Sequence, residues 1–242
     1  MRALAKFNPL PALSSLFYPA TCAVCSGEVG RDEYLCERCS GRAPRITVPF
    51  CTKCSEPFVG AITQTFSCAN CQHRILHFDA AVAAYRSRGI VRKLVHEFKY
   101  GRQRHLCYPL AAWLGENMND ARLRGRHFDI IVAVPLHPAR ERERGFNQAT
   151  VLAEMLSRQI ATPLRPVLER IRYTTTQTAY DRTERMENLR DAFRLRKKAD
   201  VRELRVLLID DVLTTGSTLS ECARVLKGAG AISVHAATAA RA

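Results

Sequence analysis

From residue 78 onward, short apolar runs alternate with stretches whose apolar positions recur at helical spacing. Phe78 to Tyr85 is apolar and predicts a strand. Residues 89 to 98 then place Ile90, Val91, Leu94, Val95 and Phe98 on one helical face, with Arg92, Lys93 and Lys99 largely on the other. Leu110, Ala111, Leu114 and Met118 carry a second helix, with Trp113 as a candidate anchor. Phe128 to Val134 reads as a buried strand that ends in a stiff loop, Pro135-Leu-His-Pro138. A helix with Ala149, Leu152 and Leu156 on one side follows, and residues 164 to 169 predict the next strand. Residues 170 to 193 have little apolar periodicity and predict a long polar loop. Val206 to Ile209 is a buried strand; Leu219, Cys222, Ala223 and Leu226 mark the helix after it, and residues 232 to 238 the last strand. Strands alternating with helices predict an α/β fold with a parallel sheet.

The first 75 residues follow another rule. Eight of the ten cysteines form four Cys-x-x-Cys pairs: Cys22/Cys25, Cys36/Cys39, Cys51/Cys54 and Cys68/Cys71. Two such turns bring four thiolates to one tetrahedral ion, so four pairs predict two structural zinc sites. Sequential pairing is the simplest arrangement, and an interleaved one satisfies the spacing too. Iron–sulfur ligation and disulfides are the other uses of such cysteines; regular double pairs favour zinc, and the absence of a signal-peptide pattern disfavours disulfides. A closed site of four thiolates has no open position for catalysis. The expected organisation is a zinc-binding region over residues 1–75 and an α/β domain over 76–242. Leu10, Leu13, Leu16 and Phe17 suit a short helix that packs on a core. No apolar run approaches the roughly 20 residues of a membrane span, so the expectation is a cytoplasmic protein without membrane insertion. Cys107 and Cys222 sit in apolar helical settings and read as small buried residues.

Charge narrows the partners. Lys and Arg number 37 against 23 Asp and Glu, a net charge of +14, which favours polyanions such as nucleic acid or nucleotides; a solvated basic surface is the plainer reading. Residues 86 to 104 hold seven basic residues and one acid, interspersed with Phe98 and Tyr100 and preceded by Tyr85. Cations mixed with aromatic rings can make a single-stranded DNA groove, with Arg92, Lys93, Lys99 and Arg102 as candidates; the alternative has the rings packed inward.

The densest chemistry lies at Asp210-Asp-Val-Leu-Thr-Thr-Gly-Ser-Thr218. A strand ends in two carboxylates, then a loop of small hydroxyl residues enters a helix. A helix N-terminus offers free N–H groups and a positive dipole end to a phosphate, and Gly216 lets the backbone approach it. This stretch closely resembles the phosphoribosyl pyrophosphate (PRPP) signature of type I phosphoribosyltransferases. The resemblance implies that Thr214, Thr215, Gly216, Ser217 and Thr218 cradle the 5-phosphate, that Asp210 and Asp211 bind the ribose hydroxyls, and that Mg²⁺ accompanies PRPP. It also implies that Arg140, Arg142 and Arg144, after the strand at Phe128 to Val134, hold pyrophosphate; Arg–Glu alternation there equally suits an ion-paired surface helix. The loop with Thr174 to Thr178, Arg182, Arg185, Asn188 and Arg190 matches the mobile loop of that family, which closes over the reacting centre.

Four Cys-x-x-Cys pairs, the Tyr85 to Tyr100 stretch, Val134-Pro-Leu, Arg144-Gly-Phe-Asn-Gln148, Thr176-Gln177, Arg185 with Asn188 and Phe193, and the PRPP signature occur in this order. In this the chain resembles the ComF family of competence and DNA-utilisation proteins. The resemblance implies a type I phosphoribosyltransferase fold, a part in handling imported single-stranded DNA, and a DNA-translocating helicase as partner. Two function classes follow. One is a binding module for PRPP or a related phosphoribosyl ligand and for DNA. The other is a transferase that moves the ribosyl phosphate of PRPP to an unidentified nitrogen nucleophile.

Overall fold

Four parallel strands form the central sheet, in the order β1-β6-β5-β2. They are β1 (Ala81–Ala83), β2 (Ile130–Ala133), β5 (Arg205–Leu213) and β6 (Ser233–Arg241). The structure, a computed structural model, describes residues 20–30, 33–58, 60, 66–173 and 189–242. Central β5 is apolar from Val206 to Ile209 because both of its faces are covered, and all four side chains are fully buried. It pairs with β6 over most of its length, but β2 reaches only to the Ala133–Ile209 pair. Asp210 and Asp211 therefore lie past the end of β2. Helices α3 (Gly89–Tyr100), α4 (Cys107–Glu116), α6 (Gln148–Ile160) and α7 (Ser217–Gly228) form where helical periodicity predicts them. Short α1 (Glu37–Gly41), α2 (Ala69–Gln72) and α5 (Pro138–Arg144) complete the helices used below. Among the described residues no helix is long and apolar enough to cross a membrane.

Two expectations shift. The strand expected at 164 to 169 does not join the main sheet: only Leu164 bridges to Ile131. Pro163 and Pro166 lack the N–H groups that a longer ladder needs. The chain instead forms β3 (Leu168–Arg170), antiparallel to β4 (Phe193–Leu195) in a separate ribbon. The strand from Phe78 shortens to three residues. Of the ring stripe, Tyr85 and Phe98 pack inward and only Tyr100, 57% exposed, faces solvent. Cys107 and Cys222 are buried. Leu10, Leu13, Leu16 and Phe17, and Thr174 to Thr178, Arg182, Arg185 and Asn188, lie outside the described residues.

By compactness the chain divides between Arg42 and Ala43. Cys51, Cys54, Cys68 and Cys71 thus share a unit with the sheet, and the boundary expected near residue 75 falls inside that unit. The two cysteine regions repeat one local design. Cys22 N–H bonds to Gly27 O at 2.7 Å and Ser26 N–H to Cys22 O at 2.9 Å. Cys51 N–H bonds to Glu56 O at 2.8 Å and Ser55 N–H to Cys51 O at 2.9 Å. Ser26 and Ser55 both adopt left-handed backbone, at φ 58° and 59°, which turns each knuckle back on itself. The second pair of each set straddles the start of a short helix, α1 or α2.

Candidate functional site

The site begins where β5 outruns β2. Asp211 is buried and Asp210 half-buried. Burial, then the adjacent Asp211 charge, pushes the Asp210 carboxyl up to about 7. Asp211 N–H donates to Asp210 Oδ1 at 2.9 Å. Across from them, Lys99 Nζ sits 2.9 Å from Asp211 Oδ1, with the two side chains 21% and 10% exposed. Burial opposes the Lys99 charge, but Asp211 outweighs it and raises the ammonium. Lys99 was expected on the DNA face; its charge is committed to the acid pair instead, because it lies where α3 turns from solvent toward β5.

After β5 the chain makes a tight loop into α7. Gly216 sits in left-handed backbone, at φ +79°, as the residue before the helix. Ser220 N–H bonds to its carbonyl at 2.8 Å, and a Cβ here would meet the Phe78 ring at 3.4 Å. Thr215 Oγ1 and Ser217 Oγ lie 2.8 Å apart. Thr214 is exposed, Thr215 and Thr218 are half-buried, and Ser217 is buried. The five loop residues thus form one turn at a helix N-terminus, a geometry suited to a phosphate.

The arginines after β2 fall on α5. Arg142 is exposed, whereas Arg140 and Arg144 are half-buried. Arg140 pairs with Glu143 at 3.5 Å and lies over the Tyr173 ring at 5.5 Å, so the ion-paired surface helix exists as well. Arg144 lies over Tyr100 at 5.1 Å and donates to Gln148 Oε1 at 3.1 Å. Among the described residues Arg144 Nε is buried without a hydrogen-bond partner. Asn147 holds this segment in place: its Nδ2 donates to Val134 O at 3.0 Å, and its Oδ1 accepts from Ala149 N–H at 3.0 Å to cap α6. Sequence reasoning missed Arg170, at the end of β3. Burial lowers its proton affinity, and it shares the field of Asp210, Arg140 and Arg144. It also missed Asn70, on α2, and Arg74, just beyond its end, which reach the loop before α7. No spacing rule distinguishes these residues from other surface cations and amides. Arg92, Lys93 and Arg102 are exposed.

The cysteines gather sequentially: Cys22, Cys25, Cys36 and Cys39 in one cluster and Cys51, Cys54, Cys68 and Cys71 in the other, with sulfurs within 4.8 Å of one another. Cys25 and Cys36 sulfurs are 3.7 Å apart, and Cys54 and Cys68 sulfurs 3.6 Å. A tetrahedral zinc site with bonds of about 2.3 Å has sulfur–sulfur edges of about 3.8 Å, so the residues fit the ion. Their acidities agree. Hydrogen bonds from Cys54 and Cys71 hold the Cys51 thiol well below its usual range. The same bond to Cys51 pushes Cys54 up to about 12, and Cys71 is likewise raised. One thiolate resists formation of the next, and a bound dication would offset that resistance.

A parallel α/β sheet with this loop and acid pair, joined to two four-cysteine knuckles, defines a phosphoribosyltransferase-fold protein with zinc ribbons. A phosphoribosyl transferase domain matches residues 147–242, and a double zinc ribbon domain matches residues 13–72. Competence protein F of Haemophilus influenzae is 33% identical over 200 residues, covering 79% of this chain and 85% of that protein. DNA utilization protein YhgH of Escherichia coli K12 is 31% identical over 224 residues, with 91% and 96% covered. Competence protein ComFC of Bacillus subtilis is 29% identical over 205 residues, with 81% and 78% covered. The chain belongs to the ComF family.

Proposed function

We propose that this chain binds PRPP, or a related phosphoribosyl ligand, together with Mg²⁺ at the end of β5, and single-stranded DNA on the outer face of α3, as a cytoplasmic DNA-uptake and utilisation protein. The observation that carries the first half is the juxtaposition of the Gly216 loop with Asp210 and Asp211. The loop offers a helix N-terminus to a 5-phosphate, and one step back the acids accept hydrogen bonds from ribose hydroxyls. Arg140, Arg144 and Arg170 add positive charge where pyrophosphate would lie, and the orphaned Arg144 Nε would gain an acceptor there. Mg²⁺ supplies charge neutralisation of the pyrophosphate when bound. Calorimetric titration with PRPP, with and without Mg²⁺, tests this. Binding that needs Mg²⁺ and is lost in an Asp210→Asn/Asp211→Asn variant is the expected result; equal binding by the variant sinks the site.

DNA binding rests on the exposed face of α3. Arg92, His96 and Tyr100 recur every fourth residue, with Lys93 beside them and Arg102 just beyond the helix. Tyr100 packs at a tilt against His96 at 5.0 Å and under Arg144 at 5.1 Å, so one ring borders both the proposed DNA face and the proposed phosphoribosyl site. Names of relatives that refer to competence and DNA utilization support the cellular role. In this reading the zinc region docks a DNA-translocating helicase. The arginines around Asp210 also favour a second reading, transfer of ribosyl phosphate from PRPP to a nitrogen nucleophile. Product formation in a nucleophile screen, abolished by the same double variant, distinguishes transfer from binding alone.

A further inference from the structure

The second cysteine cluster does more than fold its own segment. Asn70 lies between Cys68 and Cys71, and its Nδ2 donates to Thr215 O at 3.2 Å. Arg74 Nη1 donates to the same carbonyl at 3.2 Å and to Asn70 Oδ1 at 2.6 Å. Arg74 Nη2 donates to Ser217 Oγ at 2.8 Å. Two donors therefore grip the Thr215 carbonyl from the cysteine side. A trans peptide is planar, and its N–H points opposite to its C=O. Pinning the Thr215 carbonyl toward Asn70 and Arg74 thus fixes the Gly216 N–H in the opposite direction, at the turn that enters α7.

The knuckle is itself anchored at its far side. Ser55 Oγ donates to Ala81 O at 3.0 Å and accepts from Ala83 N–H at 3.2 Å. Arg122 donates to the Cys51 and Thr52 carbonyls at 3.3 and 3.1 Å. Between these fixed points stands α2, a helix of four residues, far too short to hold its shape alone. The four-cysteine closure is what orients it, and with it Asn70.

We propose that Asn70 and Arg74 are positioning residues that couple the metal centre at Cys51, Cys54, Cys68 and Cys71 to the phosphate-cradling loop. Zinc at the one and a phosphate monoester at the other each strengthen the binding of the other. This rests on the reading of the loop as a phosphoribosyl site. Linkage makes the effect reciprocal, and a coupling of ordinary size is about five-fold or more.

The test uses the full zinc-loaded chain. Zinc loss to a zinc-selective chelator is followed in excess Mg²⁺, with and without PRPP, while alkylation of each cysteine is mapped by mass spectrometry. The cluster at Cys22, Cys25, Cys36 and Cys39 serves as the internal control. PRPP affinity is measured in parallel by calorimetry. We expect PRPP to slow opening of the second cluster at least about five-fold and to leave the first unchanged. Asn70→Ala/Arg74→Gln should lose that protection and bind PRPP more weakly by a similar factor, and Arg74→Lys should restore part of both. PRPP that binds the wild type yet leaves the second cluster unprotected, or protects both clusters alike, overturns the coupling. No variant is needed for that comparison. A chain that does not bind PRPP removes the phosphoribosyl reading, and this inference falls with it.

Discussion

Replacing Lys99 with Met gives the sharpest test of how the acid pair is held. The Lys99–Asp211 contact of 2.9 Å corresponds to about 6 kcal/mol of Coulomb attraction at an effective dielectric of about 20. Desolvation of both ions offsets much of this, and breaking a buried pair costs about 3–5 kcal/mol. The partial exposure of both side chains reduces the expectation for Lys99→Met to about 2–4 kcal/mol. For a domain of this size each kcal/mol lowers Tm by about 2–4 °C, so a drop of about 5–15 °C is expected. The loss has a defined pH dependence. Burial already raises the Asp210 carboxyl and the Lys99 charge opposes that rise, so without Lys99 Asp210 binds its proton more tightly still in the folded chain. A raised folded pKa destabilises above that pKa and not below the unfolded value. The cost is therefore largest at pH 8 and shrinks as pH falls through about 7, where Asp210 titrates. Thermal denaturation at pH 8 and pH 5.5, on Lys99→Met, Asp211→Asn and the double variant, reads both the cost and the coupling. A cost below about 0.5 kcal/mol, equal at the two pH values, would mean that Lys99 is a solvated surface cation and that the pair contributes nothing.

Three further outcomes follow from the same geometry. Asp210→Asn removes a carboxylate whose charge burial disfavours, so stability at pH 8 should rise by about 1–3 kcal/mol with little change at pH 4, read by denaturant unfolding, while PRPP binding is lost. Gly216→Ala meets left-handed backbone and the Phe78 ring; it should cost about 1–2 kcal/mol of stability and weaken PRPP binding, and a neutral result would show that the loop is not held as described. Replacing Arg92, Lys93 and Arg102 with Gln should flatten the salt dependence of single-stranded DNA binding by up to about 2 in log–log slope, whereas Lys99→Met should leave the slope unchanged. Fluorescence anisotropy at several salt concentrations separates the two.

Local signals read well in this chain, and long-range ones do not. The run from Val206 to Ile209, the acids after it and the small-residue loop are contiguous, so strand, loop and helix could be placed from sequence. The cysteine pairs could be placed for the same reason: each knuckle is local, and sequential clusters need the shortest closures. Lys99 could not, because a helical wheel separates apolar from polar positions but does not say which polar position meets another element. Arg92 and Lys93 stay on the solvent side; Lys99, less than two turns further on, meets β5. Arg170 and Arg74 were hidden in the same way. Their partners lie on the far side of the fold in sequence, and an arginine carries the same letter whether it faces water or a buried carbonyl. The strand at residues 164 to 169 was misplaced for a local reason that was visible: two prolines lay within or beside it.

The charge balance of the site explains why its cations matter as a group. Two carboxylates at the end of β5 would repel a polyanion if they stood alone. Around them stand Lys99, Arg140, Arg144 and Arg170; Arg140 also pairs with Glu143, so three carboxylates face four cations, a surplus of +1 with all three acids ionised. A phosphorylated sugar can then approach the acids with its hydroxyls while its phosphates meet N–H groups and arginines. Lys99 takes the larger share in this, since it already pairs with Asp211; on the proposed phosphoribosyl reading, protonation of Asp210 then sets the pH range of binding. Affinity for PRPP should accordingly fall as pH drops through about 7, where Asp210 takes up its proton. An affinity flat from pH 8 to pH 5.5 would mean that Asp210 accepts no hydrogen bond from the ligand.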